Sequence, residues 1–73
     1  MSMQYIRETY KVPAKRGGRI VYTGLGVKEL GTITGTRGAN ILVRLDGDTE
    51  SKPYHPTWEI QYLPWTAKEA DRA

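Results

Sequence analysis

Apolar and polar positions alternate most cleanly at Asn40 to Leu45, where Ile41, Val43 and Leu45 fall on one face and Leu42 and Arg44 on the other. A period of two predicts a half-buried strand with the first set in the core. Arg19 to Thr23 is β-branched and aromatic between Gly17-Gly18 and Gly24, which makes it the expected first strand. Gly24 to Leu30 has no clean period and reads as an irregular connecting loop. Gly31 to Thr36 then alternates around Ile33 as a second strand, and Thr36-Arg37-Gly38-Ala39 carries the turn chemistry of a hairpin, with Gly38 free to take a positive φ.

Asp46-Gly47-Asp48 predicts the next turn. The two prolines of Pro53-Tyr54-His55-Pro56 restrict a fourth strand to a short edge segment. Thr57-Trp58-Glu59 is the right length for one 3₁₀ turn capped by Thr57, with Trp58 the expected core aromatic. Ile60 to Leu63 forms a last strand that Pro64 is expected to stop, leaving Trp65 exposed. The ends differ in kind. Tyr5, Ile6, Thr9 and Tyr10 line an expected short amphipathic helix beginning near Ser2, and Thr66 to Ala73 is rich in alanine and charge without an apolar stripe, as a frayed tail would be. There is no internal repeat.

Composition narrows the picture. With 73 residues the chain is one small domain, too small for a deep cleft between lobes. It has no Cys, so disulfides and Cys-based zinc are excluded and stability must come from packing. It also has no Phe, so two Trp and five Tyr must supply the large buried surfaces. Net charge is only +3, but residues 1 to 44 carry eight basic and two acidic groups whereas residues 45 to 73 carry three basic and six acidic ones. The net figure conceals a polar molecule. No apolar run approaches the roughly 20 residues that span a bilayer, and the leading Met-Ser-Met-Gln-Tyr is not a secretory signal, so a cytoplasmic site of action is expected.

A strand, a long loop, a two-strand hairpin, a short fourth strand, a 3₁₀ turn and a closing strand is the order of elements in SH3-like small barrels. The chain resembles that class over about residues 18 to 63, through Gly18-Arg19-Ile20-Val21-Tyr22-Thr23-Gly24, Leu30-Gly31-Thr32-Ile33-Thr34-Gly35, Ile41-Leu42-Val43-Arg44-Leu45-Asp46-Gly47 and Trp58-Glu59-Ile60-Gln61-Tyr62-Leu63. The Gly31-Thr32-Ile33 step is similar to the Gly-x-Val of KOW-type and related Tudor-like barrels. The resemblance implies an all-β, five-stranded small barrel over residues 18 to 65, with an extension over residues 1 to 17 and a tail over residues 66 to 73. The segment Tyr5 to Gly17, together with Tyr54-His55-Pro56 near the C-terminus, resembles small proteins encoded by phages and prophages, which implies a virus-derived accessory protein and carries no established activity with it. Members of the wider barrel class bind nucleic acid, modified lysine or protein segments, so fold alone decides little.

Two surfaces compete for function. The first is basic: Lys11, Lys15, Arg16 and Arg19 with Tyr10 and Tyr22 interleaved, joined by Arg37 at the hairpin tip and Arg44 on the outer strand face. Lys and Arg contact phosphates and aromatic rings stack on unpaired bases, so DNA or RNA is the expected partner, held by its backbone because no base-reading motif is present. The bland alternative is a solvated surface with both tyrosines packed. The second surface is aromatic: Tyr54, His55, Trp58, Tyr62 and Trp65, a groove for a protein partner or a set of core and rim rings. A third reading, an oligomer or virion component, follows from the unpaired edges a short barrel leaves.

Chemistry beyond binding is not expected. His55 is the only His and has no Cys or acidic pair nearby in sequence, so no metal or other cofactor is implied. Asp46 and Asp48 imitate the start of a calcium loop without its distal Glu, and Gly24-Leu25-Gly26 lacks the Lys and Ser/Thr of a phosphate loop. No nucleophile with its base and no paired carboxylates stand out, so the chain reads as a non-enzymatic module.

Overall fold

The computed structural model describes residues 2–66, the side chains of Trp65 and Thr66 excepted. The expected C-terminal tail therefore lies outside the described residues beyond Thr66. The chain begins with helix α1 (Met3–Tyr10). The Ser2 side chain accepts the Tyr5 N–H at 3.1 Å, and the helix ends where Lys11 turns left-handed at φ 57°. Eight residues make a marginal helix in water, so docking must hold it. The docked stripe is Met3, Ile6 and Tyr10, with Ile6 fully buried. This corrects the expected stripe: Ile6 and Tyr10 belong to it, but Tyr5 and Thr9 are exposed.

Five antiparallel strands follow: β1 (Gly18–Tyr22), β2 (Glu29–Arg37), β3 (Asn40–Leu45), β4 (Lys52–Tyr54) and β5 (Ile60–Thr66), in the spatial order β4-β3-β2-β1-β5. The structure is thus mostly β, with one sheet and one short helix. The sheet is open, with β4 and β5 at its edges, but it is far from flat. Tyr22 on β1 and Tyr54 on β4 have ring centroids 4.7 Å apart although two strands' spacings beyond nearest-neighbour distance separate them in the ladder. In a flat sheet those strands would stand roughly 14 Å apart, so the sheet curls until its inner faces meet.

The β2–β3 hairpin turns at Gly38-Ala39, Arg37 facing Asn40 and Gly38 at φ 59°. Glycine in the left-handed region at the first turn position matches the twist of the flanking strands. The second strand is longer than its periodicity suggests, because pairing with β1 extends it back to Glu29. A register shift between Ile33 and Gly35 has a further consequence. Ile33 faces Val43 in the core, and past the bulge Thr36 faces buried Ile41 while Gly35 faces Leu42, so the inward positions of β2 change from odd to even numbers.

Two expectations near the C-terminus are corrected. The expected turn falls earlier, at His55 to Trp58, and is a single one: the Trp58 N–H donates to the His55 carbonyl at 3.3 Å, the Thr57 N–H is taken by His55 Nδ1 at 3.1 Å so that His55 and not Thr57 supplies the cap, and Glu59 at φ 59° prevents continuation. Pro64 does not stop the last strand, which runs on to Thr66. An edge strand with a register shift opposite Gly18 and Ile20 can hold a proline because that position need not donate to a ladder.

The core is Ile6, Ala14, Ile20, Ile33, Ile41, Val43 and Leu45, all on the inner faces of the helix, its connecting segment and the sheet. Buried Gly31 lies beneath them, and a β-carbon there would stand 2.8 Å from Val43 Cγ1 and 3.0 Å from Leu45 Cδ2. Absence of a side chain lets β3 close over β2.

Candidate nucleic-acid interface

The basic residues are gathered by strand register. Arg19 faces Thr32, the Gly17 N–H donates to the Ile33 carbonyl at 2.8 Å, and the Gly18 N–H to the Lys15 carbonyl at 3.0 Å. The Gly18–Lys15 bond closes a turn over Lys15 to Gly18, which brings Arg16 beside β2 while Lys15 lies toward the edge strand β5. Arg16 Nη2 lies over Gly35, 3.7 Å from where a β-carbon would stand. Lys11, Lys15, Arg16 and Arg37 are all exposed. The end of the sheet opposite the β2–β3 hairpin, formed by the loops at 23–28 and 46–51, holds Asp46, Asp48 and Glu50, also exposed. Lys28, in the first of those loops, is exposed at the same end, so among the described residues the separation of charge is partial.

Arg19 and Arg44 lie elsewhere, on the outer face nearer the acidic end. The Arg19 guanidinium donates to Thr32 Oγ1 at 2.8 Å and forks onto Asp46, reaching Oδ1 at 2.8 Å and Oδ2 at 2.7 Å. It is only 13% exposed and committed to the fold. The hydrogen bond from Arg19, then its charge and that of Arg44, hold the Asp46 carboxyl below its ordinary pKa against the opposing effect of burial. Arg44 itself is exposed.

An open groove of about 560 Å³ runs between the segment preceding β1 and the edge strand β5, lined by Arg7, Pro13, Lys15, Tyr62, Leu63 and Pro64. Its two charged lining residues are both cations. Among the described residues Arg7 is positioned by one hydrogen bond, Nη1 donating to the Ala14 carbonyl at 2.7 Å, which leaves its other N–H groups without an acceptor from those residues. Sequence reasoning passed over Arg7. The readable signal was its spacing: it precedes Lys11 by four residues, one helical turn.

The aromatic residues do not converge on one surface. Tyr54 packs edge-on against Tyr22 and lines a second groove of about 450 Å³ with Glu29, Asp46, Asp48 and Lys52. Burial, with the nearby Tyr22 and Asp48, raises its pKa. Tyr62 lines the basic groove instead, its hydroxyl donating to the Pro56 carbonyl at 2.7 Å, and burial pushes its pKa up to about 12. Trp58, expected in the core, is 69% exposed. The isoleucines and Val43 fill the interior without it, and the turn at His55 directs it outward. There it stacks on His55, with centroids 4.3 Å apart and planes 15° from parallel, while Tyr10 meets the same imidazole edge-on at 5.2 Å. Tyr10 and Tyr22 both pack against the core. The Trp65 side chain lies outside the described residues.

Among the described residues no three His, Asp or Glu side chains come together as a metal-binding group, and no helix is long and apolar enough to cross a membrane. Fold and surface define a small, mostly β domain with a five-stranded antiparallel sheet and exposed basic residues before β1 and at the β2–β3 turn. No protein-family model, no curated protein and no solved structure matches the chain.

Proposed function

We propose that the chain is a small, non-enzymatic, cytoplasmic binding module of the SH3-like barrel type, of phage or prophage origin, that holds nucleic acid weakly by its backbone through the basic end. The carrying observation is that Arg16 reaches over Gly35 on β2, two residues from Arg37, with Lys15 next to it in the turn that enters β1. Arg7 and Lys11 extend that surface, and Arg44 adds charge on the outer face. Arg19 serves the fold by holding Asp46 rather than a phosphate. The strand order, the three-residue fourth strand and the strong curl support the barrel reading. The origin rests on the resemblance of the leading segment.

The test is an amide NMR titration with single-stranded DNA, single-stranded RNA and duplex DNA at low and moderate salt. Shifts at Lys11 to Gly17 and at Arg37 are expected, and log K for a duplex should fall with log salt by about 0.9 for each phosphate neutralised. No shifts with any of the three at low salt would overturn the proposal.

A second reading, a protein-interaction adaptor, is favoured by the exposed Trp58 held on His55. Rigid aromatic surfaces of this kind anchor protein contacts, and binding there would respond little to salt.

A further inference from the structure

We infer, resting on that reading, that the groove between Pro13–Lys15 and β5 seats one nucleotide unit of a single-stranded nucleic acid, its phosphate between Arg7 and Lys15 and its base against Tyr62, Leu63 and Pro64. Three observations select this ligand. First, both charged lining residues are cations and they come from different segments, Arg7 from α1 and Lys15 from the connection to β1, so an anion is the matching charge. The carbonyl of Ala14 holds the Arg7 guanidinium in place before any ligand arrives, which lowers the ordering cost of phosphate binding.

Second, the rest of the lining is a tyrosine ring, a leucine and two prolines. A duplex turns its bases inward and offers phosphates and sugars on its outside, so it would leave these apolar walls unused. A single strand presents base faces, which stack on rings and lie against apolar side chains regardless of sequence. Third, about 560 Å³ is the scale of a small-ligand site and admits a single nucleotide but not a helix. Arg16 and Arg37, next along the same end of the sheet, are placed to take a neighbouring phosphate, so the strand would run from the groove across the hairpin end.

The experiment compares four probes on the wild-type protein by fluorescence anisotropy at low salt, with amide shifts to place the contact: a 12-nucleotide oligothymidine, the same length of oligouridine, an abasic strand with the same phosphates, and a 12-base-pair duplex. The oligothymidine is expected to bind on the order of tenfold tighter than the abasic strand, the loss of base stacking, and tighter than the duplex, with shifts at Tyr62 and Leu63 as well as Lys15. Oligouridine should match oligothymidine, since neither groove cation reads the sugar. Pro64→Ser, an exposed change that removes apolar lining without altering charge, should weaken the oligothymidine several-fold and leave the duplex unaffected. Equal affinity for abasic strand, duplex and oligothymidine, with shifts confined to Lys11, Arg16 and Arg37, would overturn the groove assignment while leaving backbone binding intact. Failure of all four probes to bind would remove both.

Discussion

Gly31→Ala examines the closest approach in the core. The new methyl would stand 2.8 Å from Val43 Cγ1, 3.0 Å from Leu45 Cδ2 and 3.2 Å from the Arg44 carbonyl oxygen. Carbon atoms rest at about 3.5 Å or more, so the Val43 contact is short by roughly 0.7 Å. Leu45 can move its methyl by a small rotation, but Val43 is β-branched, stiff at χ1 and buried to 1% exposure. Overpacking of this kind costs about 1 to 3 kcal/mol. Alanine also restricts the unfolded chain, which returns about 0.4 to 1 kcal/mol where the backbone accepts it. Gly31 is not among the positive-φ glycines, so that offset applies. The net expectation is a loss of about 1 to 2 kcal/mol, or a fall in Tm of roughly 5 to 15 °C for a domain of this size. The assay is thermal and urea unfolding followed by far-UV circular dichroism, repeated in a Val43→Ala background. Removing the Val43 methyls removes the collision, so Gly31→Ala should cost at least about 1 kcal/mol less there. An unchanged or raised Tm, or the same cost in both backgrounds, would refute the claim that an absent side chain lets β3 close over β2.

Other expectations follow from the same geometry. Trp58→Ala should change stability by no more than about 0.5 kcal/mol in urea unfolding because the ring is mostly in solvent, and a loss several times larger would show it to be a core residue. Asp46 has its carboxyl pKa lowered below 3.8 in the fold, chiefly by the hydrogen bond from Arg19, so its bridge contributes stability above that value that is lost as pH falls through the folded-state pKa. The stability gap between wild type and Asp46→Asn should therefore be open at neutral pH and narrow in acid; a gap independent of pH would contradict the bridge. Tyr62 works in the opposite sense. Its pKa is raised from 10.0 to about 12, so the unfolded chain ionises first and stability should fall as pH rises through that interval. Tyr62→Phe should flatten that part of the alkaline profile in thermal unfolding, and an equally steep decline in the variant would exclude Tyr62 as its source.

The outer and inner faces show why the site was only partly legible. Lys15, Arg16 and Arg37 were identifiable as basic residues near glycines, but Arg16 meets the strand that carries Arg37 only because the turn into β1 sets Gly17 against Ile33. Arg19 sits in the same basic run and reads identically in sequence. Only the strand register, which sets it opposite Thr32 and within reach of Asp46, separates a structural arginine from its exposed neighbours. The aromatic residues are the harder case. Tyr54, Trp58 and Tyr62 lie within nine positions of one another, yet a short strand, a turn and a new strand send them to three different places.

Local chemistry was sufficient wherever one interaction range decided the outcome. Alternation placed Ile41, Val43 and Leu45 in the core, Gly38 marked the hairpin, and Ser2 marked the helix start, because each depends on neighbours a few residues away. Sequence alone also determined the absence of disulfides and the imbalance of charge along the chain. Tertiary structure decided the rest. The curl that joins Tyr22 to Tyr54, the bulge that shifts which residues of β2 point inward, the exposure of Trp58, and the groove between Arg7, Lys15 and β5 all arise from contacts between distant segments. Their geometry is set by how the strands and helix share a small interior, and a residue's own neighbours in sequence do not carry that information.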